Sequence, residues 1–211
     1  MWKRLGKTVF DIKKEVLIAE TRIRPFIRET PLEYSSALSK KTKANVFLKC
    51  ENIQYTGAFK VRGAMNKLLS LTQSQREQGV VTASSGNHGA AVAFGLHKLH
   101  IQGAIFVPEN ASSTKIDNIR NYDVPLKFYG TDCMQTEMYA LEYANQHNMI
   151  YISPYNDLQV IGGQGTIGVE LVNQLEHIDA VLVSIGGGGL ISGIAGYLKS
   201  VSPKTKIIGC L

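Results

Sequence analysis

The sequence predicts an α/β fold with mainly parallel sheets. Apolar runs of strand length recur at 45–49 (NVFLK), 80–84 (VVTAS), 101–107 (IQGAIFV), 124–129 (VPLKFY), 149–153 (MIYIS), 180–185 (AVLVSI) and 205–210 (TKIIGC). The stretches between them carry helical spacing, and several runs are apolar on both faces, as parallel strands sandwiched by helices must be. A hydrophobic content of 44% with 19% charged residues suits a soluble globular chain. No repeat or low-complexity tract divides it, and no apolar run reaches the length of a membrane span.

The first element is basic. Through Lys43 eleven Lys and Arg face five acids, whereas from Ala44 onward twelve face twelve. The basic residues alternate with Val16, Leu17, Ile18, Ile23, Phe26 and Ile27, a pattern that predicts the solvated face of an amphipathic helix rather than a nucleic-acid arm. The charged start MWKRLGKTVFDIKKE has no apolar core of the secretory kind, so a cytoplasmic location is expected.

From Ala58 the spacing Val61, Ala64, Met65, Leu68, Leu69 predicts a helix with Lys60 in its first turn. The positive end of a helix disfavours an ammonium, which should lower this lysine from the ordinary value of about 10.4. Imine formation needs the neutral amine, so the position suits a Schiff-base lysine. Gly63 and Ala64, one turn on, are expected to leave room beside its stem for a flat ring.

Two further units read as strand, tight loop and helix. VVTAS runs through SGNHG into AAVAFGLHKL, and the free N–H groups at that turn suit a carboxylate, with Ser85 or Asn87 as cap. AVLVSI runs through GGGGL into ISGIAGYLK. Four successive glycines imply a backbone that something approaches closely, and a phosphate at the helix start supplies the reason.

Rival motifs fail. A dinucleotide fingerprint at Gly186 would need glycine where Ile191 stands, and the GxGxxG at Gly163, Gly165 and Gly168 follows no strand, so it reads as helix packing. Gly6, Lys7 and Thr8 resemble the tail of a nucleotide loop whose first glycine is replaced by Met1. The histidines show no metal spacing, and Cys50, Cys133 and Cys210 lack a CxxC pair, so reduced structural thiols and no zinc site are expected.

Taken together, TPLEYSSALS, VFLKCEN, GAFKVRGAMNKL, TASSGNHGAAVA, SPYND, GGQGTIGVEL and SIGGGGLISGIAGYLK resemble, in order and over essentially the whole chain, the fold type II pyridoxal phosphate enzymes. The histidine of SGNH moves the resemblance toward the serine/threonine dehydratase and serine racemase branch, since cysteine synthases usually read SGNT there. The resemblance implies that Lys60 carries pyridoxal 5'-phosphate as a Schiff base and moves the α-proton, and that Phe59 packs on the cofactor ring. Asn87 would bond the ring hydroxyl, Gly186, Gly187, Gly188, Gly189 and Leu190 would hold the phosphate, and Ser84, Ser85, Gly86, Asn87 and His88 would cup the substrate carboxylate. Asn156 matches a position near cofactor and substrate. Ser85 would act as acid or base on the opposite face if the enzyme racemises.

The implied reaction is dehydration and deamination of L-threonine or L-serine to a 2-oxo acid and ammonia. Serine racemization, β-replacement, and a non-catalytic cofactor-binding or interaction protein are the alternatives. The implied architecture is two open, mainly parallel-sheet α/β domains with the cofactor between them: a large cofactor domain, 1–75 with 153–211, and a small substrate domain, 76–152. Family members continue beyond the last residue, so the large domain is expected to be incomplete, with a strand edge open to pairing in a homodimer or with another subunit. Leu211 stands where racemase-like members place a glutamate ligand, and no intact family metal site is expected.

Overall fold

The computed structural model describes residues 11–211. Lys3, Arg4 and Lys7 of the basic segment, and the Gly6–Lys7–Thr8 match, lie outside them. Helix α1 (Ile12–Ile23) is capped by Asp11, whose carboxylate accepts from the Lys14 N–H at 3.1 Å. It buries Val16, Ala19 and Ile23 and exposes Lys13 and Lys14, which is the amphipathic face expected.

Next comes an antiparallel pair, β1 (Leu32–Tyr34) and β2 (Phe47–Lys49), flanking α2 (Ser36–Thr42). Strand β1 escaped the sequence reading because LEY is too short and too polar to register as an apolar run. The order then runs α3 (Lys60–Ser70), α4 (Gln73–Gln78), β3 (Val80–Ala83), α5 (Asn87–Leu99), β4 (Gly103–Val107), α6 (Ser113–Arg120), β5 (Leu126–Phe128), α7 (Cys133–Gln146) and β6 (Ile150–Tyr151). It closes with α8 (Leu158–Gln174), β7 (Ala180–Ser184), α9 (Gly189–Val201) and β8 (Lys206–Cys210).

Strands β3 to β6 form one four-stranded parallel sheet in the order β5-β4-β3-β6. Successive residues point to opposite faces. Val80, Ile105 and Val107 therefore join α3, α5 and α6 in one core, while Val81, Ala104 and Phe106 meet Ala140 and Ala144 of α7 in another. Strand order thus grows outward from β3 in one direction through β4 and β5, then restarts on its other side at β6. That reversal opens a crevice between the carboxyl ends of β3 and β6, where ligands bind in sheets of this kind.

Strands β7 and β8 pair in parallel, with Val181 and Val183 packed toward the core that α1, α8 and α9 share. Their other face is bare among the described residues: Leu182 is 68% and Ile208 45% exposed. Helix α8 is the hub, and small residues let its neighbours approach. A Cβ on Gly163 would lie 2.5 Å from the Arg62 carbonyl of α3, and one on Gly165 2.9 Å from the Gly193 carbonyl of α9. The GxGxxG of this segment is therefore a packing surface. None of the described helices is long and apolar enough to cross a membrane. All three cysteines are free, as expected, but Cys133 and Cys210 are exposed, so a structural role packed in the core does not hold for these two.

Candidate active site

The carbonyl of Ile152, just past β6, spans the crevice. It accepts from the Thr82 hydroxyl of β3 at 2.7 Å and lies 3.3 Å from Nε2 of His88 in the first turn of α5. A carbonyl only accepts, so the ring proton belongs on Nε2 and Nδ1 is a bare acceptor; no partner for it exists among the described residues. Burial, followed by the nearby Lys60 charge, pulls His88 from 6.5 down to about 3, which keeps the ring neutral.

Lys60 opens α3, as its spacing predicted, and Nζ donates to the Pro154 carbonyl at 2.7 Å. Burial lowers its pKa. The shift has the direction expected at the sequence level, with desolvation as its cause. The room expected beside Gly63 is filled: a Cβ there would sit 2.4 Å from Nε2 of Gln164 and 2.8 Å from the Val160 carbonyl. Gly63 serves the contact with α8.

The residue after Pro154 reaches the glycine loop. A Cβ on Gly187 would lie 2.2 Å from Cγ of the Tyr155 ring, and one on Gly189 2.9 Å from the Tyr155 carbonyl. At Gly186 and Gly188 a Cβ would meet nothing within 4 Å, and Gly188 adopts φ +84°, a left-handed conformation that favours glycine. Tyr155 closes one side of the tetrad and the other side is open. The N–H groups of Gly186 to Ile191 find no backbone acceptor among the described residues, and α9 starts without a side-chain cap or an acid in its first turn. A cradle of free N–H groups on the positive end of a helix fits a phosphate, and a desolvated amine fits an aldehyde.

Other expected residues fall around the same crevice. Ser84 follows β3, and its Oγ accepts from the Gly86 N–H at 3.2 Å. Gly86, rather than Ser85 or Asn87, occupies the cap position of α5 and supplies no side chain to it. The N–H groups of Ser85, Asn87, His88 and Gly89 consequently have no backbone acceptor among the described residues. Ser85 is partly buried and Asn87 exposed. Phe59 and Leu190 pack against the α8–α9 core, with the Lys60 ammonium 5.4 Å from the Phe59 ring centre. Asn156 is exposed, and its N–H donates to Ser153 Oγ at 3.0 Å. The SPYND residue that touches the glycines is Tyr155, which the sequence reading passed over. Its place in the loop that follows a parallel strand was the available signal. No cluster of three or more His, Cys, Asp or Glu able to hold a metal occurs among the described residues.

A buried charge cluster was also missed. Arg62 is fully buried and forks onto both Glu51 and Glu170. Glu170 further accepts from Arg24 and pairs with Lys49. Burial alone would raise the Glu170 pKa, but Arg62, Lys49 and Arg24 hold it near about 2. The signal lay in LQVIGGQGTIGVELVNQ, a 17-residue helix whose one charged residue is Glu170; an isolated acid in such a run needs buried partners.

The family described as pyridoxal-phosphate dependent enzyme matches residues 23–210. Over 192 residues the chain is 45% identical to the catabolic L-threonine dehydratase of Staphylococcus aureus, covering 90% of this chain and 56% of that protein. It therefore spans little more than half the length of that relative. Among solved structures, maize serine racemase superposes with a TM-score of 0.90 at 36% identity, over 93% of this chain and 60% of that one. The processed form of threonine deaminase isoform 2 from Solanum lycopersicum gives 0.91 at 36% identity, over 98% and 61%.

Proposed function

Because the chain belongs to the pyridoxal-phosphate dependent enzyme family, we propose that Lys60 holds that cofactor and that the site eliminates water from L-threonine, and from L-serine, after which a water molecule hydrolyses the resulting enamine to release ammonia and 2-oxobutanoate or pyruvate. One observation carries the reading. Consecutive residues, Pro154 and Tyr155, join the Lys60 amine to the tetraglycine loop, so the amine and the anion cradle lie on one seam.

Gly186 to Leu190 would receive the phosphate on their N–H groups, and Lys60 would hold the cofactor's aldehyde carbon. The cofactor, when bound, supplies a conjugated sink for the electron pair left at the substrate's α-carbon. The protein aligns and moves protons. The free N–H groups of Ser85, Asn87, His88 and Gly89 would orient the substrate carboxylate, and the neutral Lys60 amine would take the α-proton. Neutral His88 keeps a second positive charge away from that amine.

The same reading includes a small domain, 76–152, which the four-stranded sheet and its α7-side core support, and a large one formed by the remainder. It also includes a cytoplasmic setting and pairing with a second copy. Ser85 supports a second reading, racemization of serine, because its hydroxyl stands in the same turn as the free N–H groups and makes no hydrogen bond among the described residues.

Incubation with pyridoxal phosphate, borohydride reduction and peptide mapping should place the added mass on Lys60. Lys60→Ala should abolish it together with 2-oxo acid release, followed by coupled NADH oxidation. Equal capture on other lysines refutes the assignment of Lys60, whereas capture without 2-oxo acid leaves a cofactor-binding protein and refutes the lyase. Chiral analysis of the remaining serine separates racemization from elimination.

A further inference from the structure

We infer that Arg62, gripped by Glu51 and Glu170, is the positioning residue that fixes Lys60 in reach of the glycine loop; the inference rests on the reading of Lys60 given above. Helix α3 begins at Lys60 with Phe59 in the cap position and no side-chain cap, so its first turn lacks the usual restraint against fraying. The Arg62 N–H bond to the Phe59 carbonyl, 3.1 Å, is a single closure of that turn.

The side chain of Arg62 provides the restraint instead. Nε and Nη2 donate to the two oxygens of Glu51 at 2.8 and 2.7 Å, and Nη1 and Nη2 donate to the two oxygens of Glu170 at 2.7 and 2.9 Å. Nη1 also reaches Thr166 Oγ1 at 3.2 Å. Two carboxylates from different parts of the chain thus grasp one planar fork, which fixes its orientation as well as its position. Its backbone is held too, since the Arg62 carbonyl sits where Gly163 of α8 leaves no room for a Cβ.

Three cations, Arg24, Lys49 and Arg62, meet three carboxylates, Glu20, Glu51 and Glu170. Desolvating such a cluster offsets much of its attraction, and apolar residues of equal volume often fold as well. Geometry is what the cluster adds. Lys60 lies two residues before Arg62, and its amine ends on the Pro154 carbonyl in the loop between β6 and α8, so the lysine is held at its tip by that loop while α8 holds the backbone two residues on. A lysine at position 62 would keep the charge and lose the double fork.

The test compares the parent chain with Arg62→Lys and Glu51→Gln, using pyridoxal phosphate as the probe. Each protein is checked for folding by circular dichroism, then incubated over a range of pH, reduced with borohydride and mapped by mass spectrometry. Capture on surface lysines such as Lys40 serves as the internal reference. The expected result is a Lys60 capture rate lower by about tenfold or more in Arg62→Lys, since a small misplacement of a reacting group costs up to about a hundredfold. The pH of half-maximal capture should rise as the amine leaves its desolvated place, with Glu51→Gln intermediate. A folded Arg62→Lys that captures at Lys60 as fast as the parent, with only its melting temperature lowered, overturns the inference. If Arg62→Lys does not fold, an unchanged rate in Glu51→Gln overturns it. Absence of Lys60 capture in the parent overturns the reading of Lys60 itself.

Discussion

His88 should make the fold less stable as the pH falls from 8 to 5, and His88→Gln should remove that dependence while keeping a donor for the Ile152 carbonyl. Burial and the Lys60 charge set the folded ring at about 3, against 6.5 for the unfolded chain. Between those values the unfolded chain binds a proton that the folded one refuses, so stability is full above about 6.5 and is lost as the pH falls toward 3. At 1.36 kcal/mol per unit, the difference between pH 8 and pH 5 integrates to about 2 kcal/mol. Glu170, held near about 2, releases its own contribution between about 4.5 and 2, so it barely overlaps this range. Urea unfolding followed by circular dichroism at pH 8, 7, 6 and 5 measures the slope. Parallel losses in the parent and His88→Gln would refute a ring kept neutral by its surroundings.

Three other substitutions separate scaffold from cradle. Glu170→Gln leaves Arg62, Arg24 and Lys49 with one charge too few, and denaturant unfolding should show a loss of about 3–5 kcal/mol; a loss under about 1 kcal/mol would mean the cations find other partners. Gly163→Ala drives a Cβ into the Arg62 carbonyl and should cost about 1–3 kcal/mol, whereas Gly186→Ala meets nothing and should leave stability within about 0.5 kcal/mol while weakening cofactor capture. Equal stability losses in the two would show that the tetrad is packed rather than open.

The strands after Leu32–Tyr34, the helix that begins at Lys60 and the two helix-start loops were legible because each rests on local pattern: apolar runs, three-and-four spacing, and turns that only small residues make. The chemical types at the site were legible for the same reason. Which residues share the site was not. That Pro154 and Tyr155, far along the chain from both Lys60 and the glycines, form the seam between them follows from β6 restarting the sheet beside β3, a choice of strand order that no window of sequence contains. Tertiary structure likewise decided that Gly63 serves helix contact rather than ligand space. It also gathered Arg62, Glu51 and Glu170 under the lysine, since charges buried from three separate segments are stable only where the fold brings all of them together.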